Sequence, residues 1–200
     1  FAAMAQAVVI ISGGIDLSVG SLMGLMNVLS AKYMVDMSTR EAFAFAVLLI
    51  AVAALAGALT GAIITVTRIA DIIVTLAMLF VWAGVALLVL EVPGGGAPQD
   101  YLNLGVGTAG SQWIPTPLVV LLVVLLCFWT PIRWTKPGLA IYAIGSSRNA
   151  AFLSGISVAR TRIGAYALGG ALAGCGGLAL TATSGIGDPL SGQYYTLNSV

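Results

Sequence analysis

The chain has 200 residues, of which 60% are hydrophobic and 8% charged, with a net charge of +1 and a mean hydropathy of +1.06. Soluble domains carry about 25% charged residues, and a soluble fold of this size cannot hide so much apolar surface. Composition therefore excludes an ordinary soluble domain, and a charge this small gives no footing for nucleic acid.

An integral membrane protein remains. A spanning helix needs about 20 apolar residues, and the chain divides on that scale. Segment 1–12 is too short alone and reads as the last turns of a span; with Phe1 in place of Met and no basic flank, the expectation is a fragment that begins mid-helix. Its end at 194–200, without a basic tail, reads as cut as well. The further spans are expected at 17–35, 42–67, 72–90, 114–132 and 163–183, in a single transmembrane permease-type domain over 1–200. Alternation of period 2 is absent, which argues against a membrane β-barrel. Cys127 and Cys175 lie in separate apolar runs without metal-ligand spacing and read as packed free thiols. Gly57 with Gly61 and Gly170 with Gly174 are spaced for close helix contact, either within one subunit or at a dimer face.

Orientation follows from the basic residues. With the long 133–162 loop in the cytoplasm, that side holds Arg68, Arg133, Lys136, Arg148, Arg160 and Arg162, and the outer side only Lys32 and Arg40. Gln99 and Ser111 then fall in an outer loop, 91–113, where Tyr101 and Trp113 are placed to sit at the membrane interface.

Two stretches ask for more than lipid. In "SGGIDLSVGS" (12–21), two glycines, an aspartate and serines stand between apolar runs. Asp16 directly precedes an apolar helical run, so it is expected to cap that helix and to complement its dipole. Irregular backbone at membrane depth must be buried in protein or line a wet cavity. Hence Gly13, Gly14, Asp16 and Ser18 are candidates for a translocation path or gate; a cap alone, or a cap that also faces the path, satisfies the sequence equally. In the 133–162 loop, 149–153 has a helix-like core ending at Gly155 as helices do. Phe152, Leu153 and Ile156 give it an apolar side, which fits either a groove on a partner or the membrane surface. Asp71 reads as the N-cap of the span that begins at Ile72.

Three stretches together, "SGGIDLSVGS" (12–21), "IYAIGSSRNAAFLSGI" (141–156) and "DPLSGQYYTLNSV" (188–200), resemble the ribose-type permease family of bacterial ABC importers. The resemblance covers nearly the whole chain. It implies an all-α, polytopic membrane helical bundle of the ABC importer permease type, of which this chain lacks parts of both ends. It further implies a bacterial inner-membrane permease subunit for a monosaccharide or similar small polar solute, working as two permease subunits. Residues 148–156 (Arg148, Asn149, Ala150, Phe152, Leu153, Ser154, Gly155 and Ile156 among them) would form the coupling helix that docks on a separate ATP-binding subunit. A periplasmic sugar-binding protein would dock on the outer face. No phosphate-binding GxxxxGK[ST] occurs in the chain, so ATP and magnesium would be bound by the partner, with no cofactor and no metal here. No nucleophile–base–acid set is present, so an enzyme is not expected. The alternative is a stand-alone secondary transporter or channel, where broken helices also occur; a structural membrane scaffold leaves the basic loop unexplained. Against the family, "RIADIIVTL" places Asp71 and Ile72 where a small residue and an aromatic are usual.

Overall fold

The computed structural model describes residues 1–110 and 112–198; Ser111 and the last two residues of the 188–200 stretch lie outside the described residues. The helices are α1 (Ala2–Ile11), α2 (Val19–Tyr33), α3 (Thr39–Thr67), α4 (Asp71–Val89), α5 (Gln99–Val106), α6 (Thr116–Val124), α7 (Thr130–Trp134), α8 (Lys136–Ser146), α9 (Arg148–Leu153), α10 (Val158–Ser184) and α11 (Gln193–Asn198). A π-helical turn, Leu125–Trp129, joins α6 to α7. Among the described residues the only β-pairing is two isolated bridges, Gly94 with Gly187 and Thr108 with Pro115. The all-α expectation holds.

Local chemistry accounts for the ends. Ser38 and Glu41 form a reciprocal capping box at the start of α3. α3 stops at Arg68, which takes a left-handed conformation (φ 58°). The π-helical turn ends at Trp129, two residues before Pro131. Proline lacks an N–H and clashes with the carbonyl four residues back, and a local widening of the helix absorbs both.

Among the described residues, four helical stretches are long and apolar enough to cross a membrane: Thr39–Thr67, Asp71–Val89, Thr116–Trp134 and Val158–Ser184. α10 runs through the middle of the bundle, against α1, α2, α3 and α5. Its glycines permit this. A Cβ on Gly170 would collide with the backbone carbonyl of Ala53, and one on Gly57 with that of Tyr166, so α3 and α10 touch backbone to backbone. This contact lies within the chain.

The helices gather their ends into two groups. Residues 12–18, 68–71, 145–148 and 158–162 meet at one end, joined by the Arg148–Gly13 and Arg162–Asp71 contacts. At the far end, Lys32 Nζ donates to the Val89 carbonyl at 2.6 Å, Gly96 N–H to the Ala31 carbonyl at 2.8 Å, and Thr39 Oγ1 to the Asp100 carboxylate at 2.8 Å.

Several expectations need correction. The 133–162 loop is largely helical, as α8 and α9, and α10 begins at Val158, so Arg160 and Arg162 belong to a helix. Tyr101 is buried, not interfacial: its hydroxyl donates to the Leu178 carbonyl at 3.1 Å, which satisfies its polar tip inside the bundle. Cys175 is a packed thiol, but Cys127 is exposed, since α6 to α7 pack little against the rest. Asp71 is the first residue of α4 rather than its N-cap; Ala70 holds that place, and the Asp71 carboxylate turns to cationic and phenolic donors on α10 instead.

Candidate functional site: a broken helix under a polar clamp

α1 closes in a Schellman motif. Gly13 is left-handed (φ 76°); its N–H donates to the Ile10 carbonyl at 2.9 Å and that of Gly14 to the Val9 carbonyl at 3.0 Å. The chain then runs irregularly to Ser18 before α2 starts at Val19. Asp16 does not cap α2 as expected. Its Oδ1 accepts from Ser18 N–H at 2.8 Å and Ser18 Oγ at 2.6 Å, a tight aspartate turn ahead of the helix. Ser18 is the N-cap residue and makes no side-chain capping bond. Asp16 bends the chain into α2 rather than covering its first free amides.

The break exposes carbonyls, and each of three finds a donor from another element or turn. Arg148 Nη2 donates to the Gly13 carbonyl at 2.9 Å. Gln6 Nε2 donates to the Asp16 carbonyl at 2.6 Å. The Ile15 carbonyl lies 3.3 Å from Tyr166 Oη and 3.4 Å from Thr75 Oγ1. Such pairing is required of non-helical backbone in an apolar surrounding.

Behind the break sits the single salt bridge among the described residues. Arg162 Nη2 lies 2.6 Å from both Asp71 carboxylate oxygens, with the two side chains 11% and 17% exposed. Tyr166 Oη, one turn along α10, is 2.9 Å from Asp71 Oδ2. The phenol has one proton, and the shorter contact to the carboxylate takes most of it. A buried pair of this kind adds little net stability, because both charges lose water, but it tolerates few alternative geometries. It fixes the start of α4 and the first turns of α10 against the break. Gly14 allows this approach: a Cβ there would stand 2.8 Å from Tyr166 Oη and 2.9 Å from Asp71 Oδ2.

Of the predicted gate residues, Gly14, Asp16 and Ser18 are buried together and Gly13 is exposed beside them. Arg148 joins this group across the 135 residues that separate it from Gly13. The others of its stretch face outward. α9 is capped by Ser147, whose Oγ accepts from Ala150 N–H at 3.3 Å, and ends in a second Schellman motif at Gly155 (φ 81°). Ala151 packs inward, while Phe152 is 70% and Leu153 85% exposed. Asn149, Ala150 and Ser154 are exposed and Ile156 is half-buried.

Sequence reading missed Asp71, Arg162, Tyr166, Thr75 and Gln6 as members of one site. Arg162 and Tyr166 share a helix face by their four-residue spacing, but nothing local ties them to position 71. It also missed a second polar cluster deeper in the bundle. Asn27 Nδ2 donates to Thr181 Oγ1 at 2.9 Å and to the Ile186 carbonyl at 3.1 Å, and its Oδ1 accepts from Asp188 N–H at 2.8 Å. Both ends of that amide are occupied from within the chain, which makes the cluster a fastener for the turn after α10.

The profile of the family described as "branched-chain amino acid transport system / permease component" matches residues 1–200. The chain belongs to this permease family. Within it, the chain is 33% identical over 202 residues to the ribose import permease protein RbsC of Escherichia coli K12, covering 99% of this chain and 62% of that protein. It is 34% identical over 179 residues to the autoinducer 2 import system permease protein LsrD of the same strain, covering 84% of this chain and 52% of that protein. The chain thus spans 62% and 52% of the length of these two relatives. No solved structure gives a significant match. A transport permease family and several apolar helices together identify a multi-pass membrane protein.

Proposed function

We propose that this chain is part of the permease subunit of a bacterial ABC importer that carries a monosaccharide or similar small polar solute across the inner membrane. The observation that carries the proposal is the similarity, over 99% of the chain, to a ribose import permease. The family description names branched-chain amino acids, but the two relatives named above are import permeases for ribose and autoinducer 2, which favours a polar, sugar-like solute. Power comes from a separate ATP-binding subunit that holds ATP and magnesium, a periplasmic binding protein delivers the solute, and a second permease copy completes the path. The end holding the break, Arg68, Arg148 and Arg162 faces the cytoplasm, by the basic-residue bias.

The geometry supports a specific mechanical reading. Phe152 and Leu153 offer apolar side chains to a groove on the ATPase. Arg148, at the start of the same short helix, holds the Gly13 carbonyl of the broken helix. A displacement of α9 on ATP binding is therefore handed to the segment carrying Asp16 and Ser18, and the bundle shifts between two packed arrangements.

The test is to co-purify the full-length permease with the ATPase and binding protein encoded beside it, then measure ATP hydrolysis with ribose, other sugars and leucine. Stimulation by a sugar is expected; stimulation by leucine alone would reject the solute class. Leu153→Asp should abolish stimulated hydrolysis while leaving the permease inserted, since an unpaired charge in an apolar contact is costly. Normal assembly and normal stimulation in that variant would remove α9 from the coupling role.

A further inference from the structure

Beside the clamp, between the α3–α4 turn and the start of α10, lies a cavity of about 520 Å³ lined by Arg68, Asp71, Arg148, Val158, Ala159 and Arg162 among others. Three arginines and one aspartate line it. Asp71 is committed to Arg162, and neither Arg68 nor Arg148 has a carboxylate partner among the described residues. Arg162 Nε is buried without a hydrogen-bond partner. Val158 and Ala159 open α10, a 27-residue helix whose N-cap Ser157 makes no side-chain capping bond. Its first amides and the positive end of its dipole therefore border the cavity without a side-chain acceptor. Arginine forks and a helix N-terminus are together a receptor for a tetrahedral oxyanion.

The surface around the α3–α4 turn adds a second feature. Ile69, which lines the cavity, is 45% exposed, and Val66 at the end of α3 and Ile72 and Ile73 in the first turn of α4 are 79%, 49% and 62% exposed. Basic side chains within a cavity and bare aliphatic side chains next to it match a molecule with a charged head and hydrocarbon tails.

We propose that this cavity is a phosphate site, taking the phosphate of an anionic phospholipid headgroup or a free phosphate, with Arg68 and Arg148 as its cationic contacts and the start of α10 as its amide contact. Arg68, which lines the cavity, holds a left-handed backbone conformation (φ 58°) at the end of α3. Occupation would hold α3, α4 and α10 together where the break is clamped.

Thermal unfolding of the full-length permease in detergent tests this, with phosphatidylglycerol, phosphatidylcholine, inorganic phosphate or chloride added at matched ionic strength. Ligand that binds only the folded state raises Tm. A rise of a few degrees is expected with phosphatidylglycerol and not with phosphatidylcholine. A rise with inorganic phosphate as well would assign recognition to the phosphate alone, and its absence would assign it to the lipid. Two variants locate the site. Arg68→Asn removes the charge and suits the left-handed turn. Ala159→Glu places a carboxylate in the first turn of α10, where it favours the helix and occupies the cavity from inside. Both should lose the rise. No rise in the wild-type protein, or an undiminished rise in either variant, overturns the proposal. So does a wild-type protein indifferent to lipid and phosphate whose Arg68→Asn form fails to bind the ATPase subunit; that pattern would assign the arginines to a carboxylate on the partner.

Discussion

α10 and the Thr116–Trp134 segment are both apolar enough to span a membrane, yet 67% of the first and 6% of the second is buried within the chain over its most apolar stretch. Hydrophobicity does not separate them, because lipid tails receive leucine as readily as a protein interior does. Side-chain size does. α10 carries glycine and alanine along its length, so its backbone reaches α2 and α3. The α6–α7 segment carries Leu118, Leu122, Val123 and Leu126, all at least 47% exposed, around a π-helical turn. In this bundle the helix of bulky side chains faces out and the helix of small ones goes in.

Substitutions of graded effect separate the packed helix from the lipid-facing one. The largest effect is expected at the start of α10. Asp71→Ala leaves Arg162 buried without its partner and should cost about 3–5 kcal/mol, read as loss of monodisperse protein on size exclusion in detergent. Adding Arg162→Leu should recover much of that loss, and failure to recover would mean that the pair does more than neutralise itself. Next comes the helix centre. Gly170→Leu forces α3 and α10 apart and should cost about 1–3 kcal/mol or more, visible as a lowered Tm; an unchanged Tm would refute the backbone contact.

Smaller again is the break that α10 clamps. Asp16→Ala removes the acceptor for Ser18 and should cost about 1–2 kcal/mol by leaving buried polar groups short of a partner. Asp16→Asn keeps an acceptor and should restore the fold. If Asn also restores transport, the charge has no part in the path; if it restores only the fold, the turn also serves the gate. The smallest change is expected on the α6–α7 segment, where Leu122→Ala or Leu126→Ala should alter stability by about 0.5 kcal/mol or less. A much larger loss in the assembled transporter, but not in the separated permease, would place the second permease copy on this face.

Legibility in the sequence followed the same division. The glycine break at Gly13 and Gly14, the glycine stop at Gly155 and the short helix expected at 149–153 were readable because each is set within a few residues by backbone sterics. Asp16 and Ser18 were readable as belonging to a break, but not how they bond, since an aspartate before a helix can cap it or turn the chain two residues early. Asp71 misled for the same reason: its place before an apolar run suggested a cap, and a guanidinium 91 residues away outcompeted the local amides. Tyr101 misled because aromatic residues in an outer loop suit the interface, whereas a backbone carbonyl on α10 was within reach of its hydroxyl.

The sequence by itself determined that the chain is a membrane helical bundle, roughly where its helices lie, and which stretches are broken or short. Hydropathy, glycine placement and capping are local quantities, and local quantities are written in the order of residues. Only the tertiary structure decided that α10 is the central helix, that Asp71, Arg162 and Tyr166 clamp the break, and that Arg148 ties α9 to it. Those facts depend on which helix faces which, and in an apolar medium that choice rests on side-chain size and on a few long-range polar bonds.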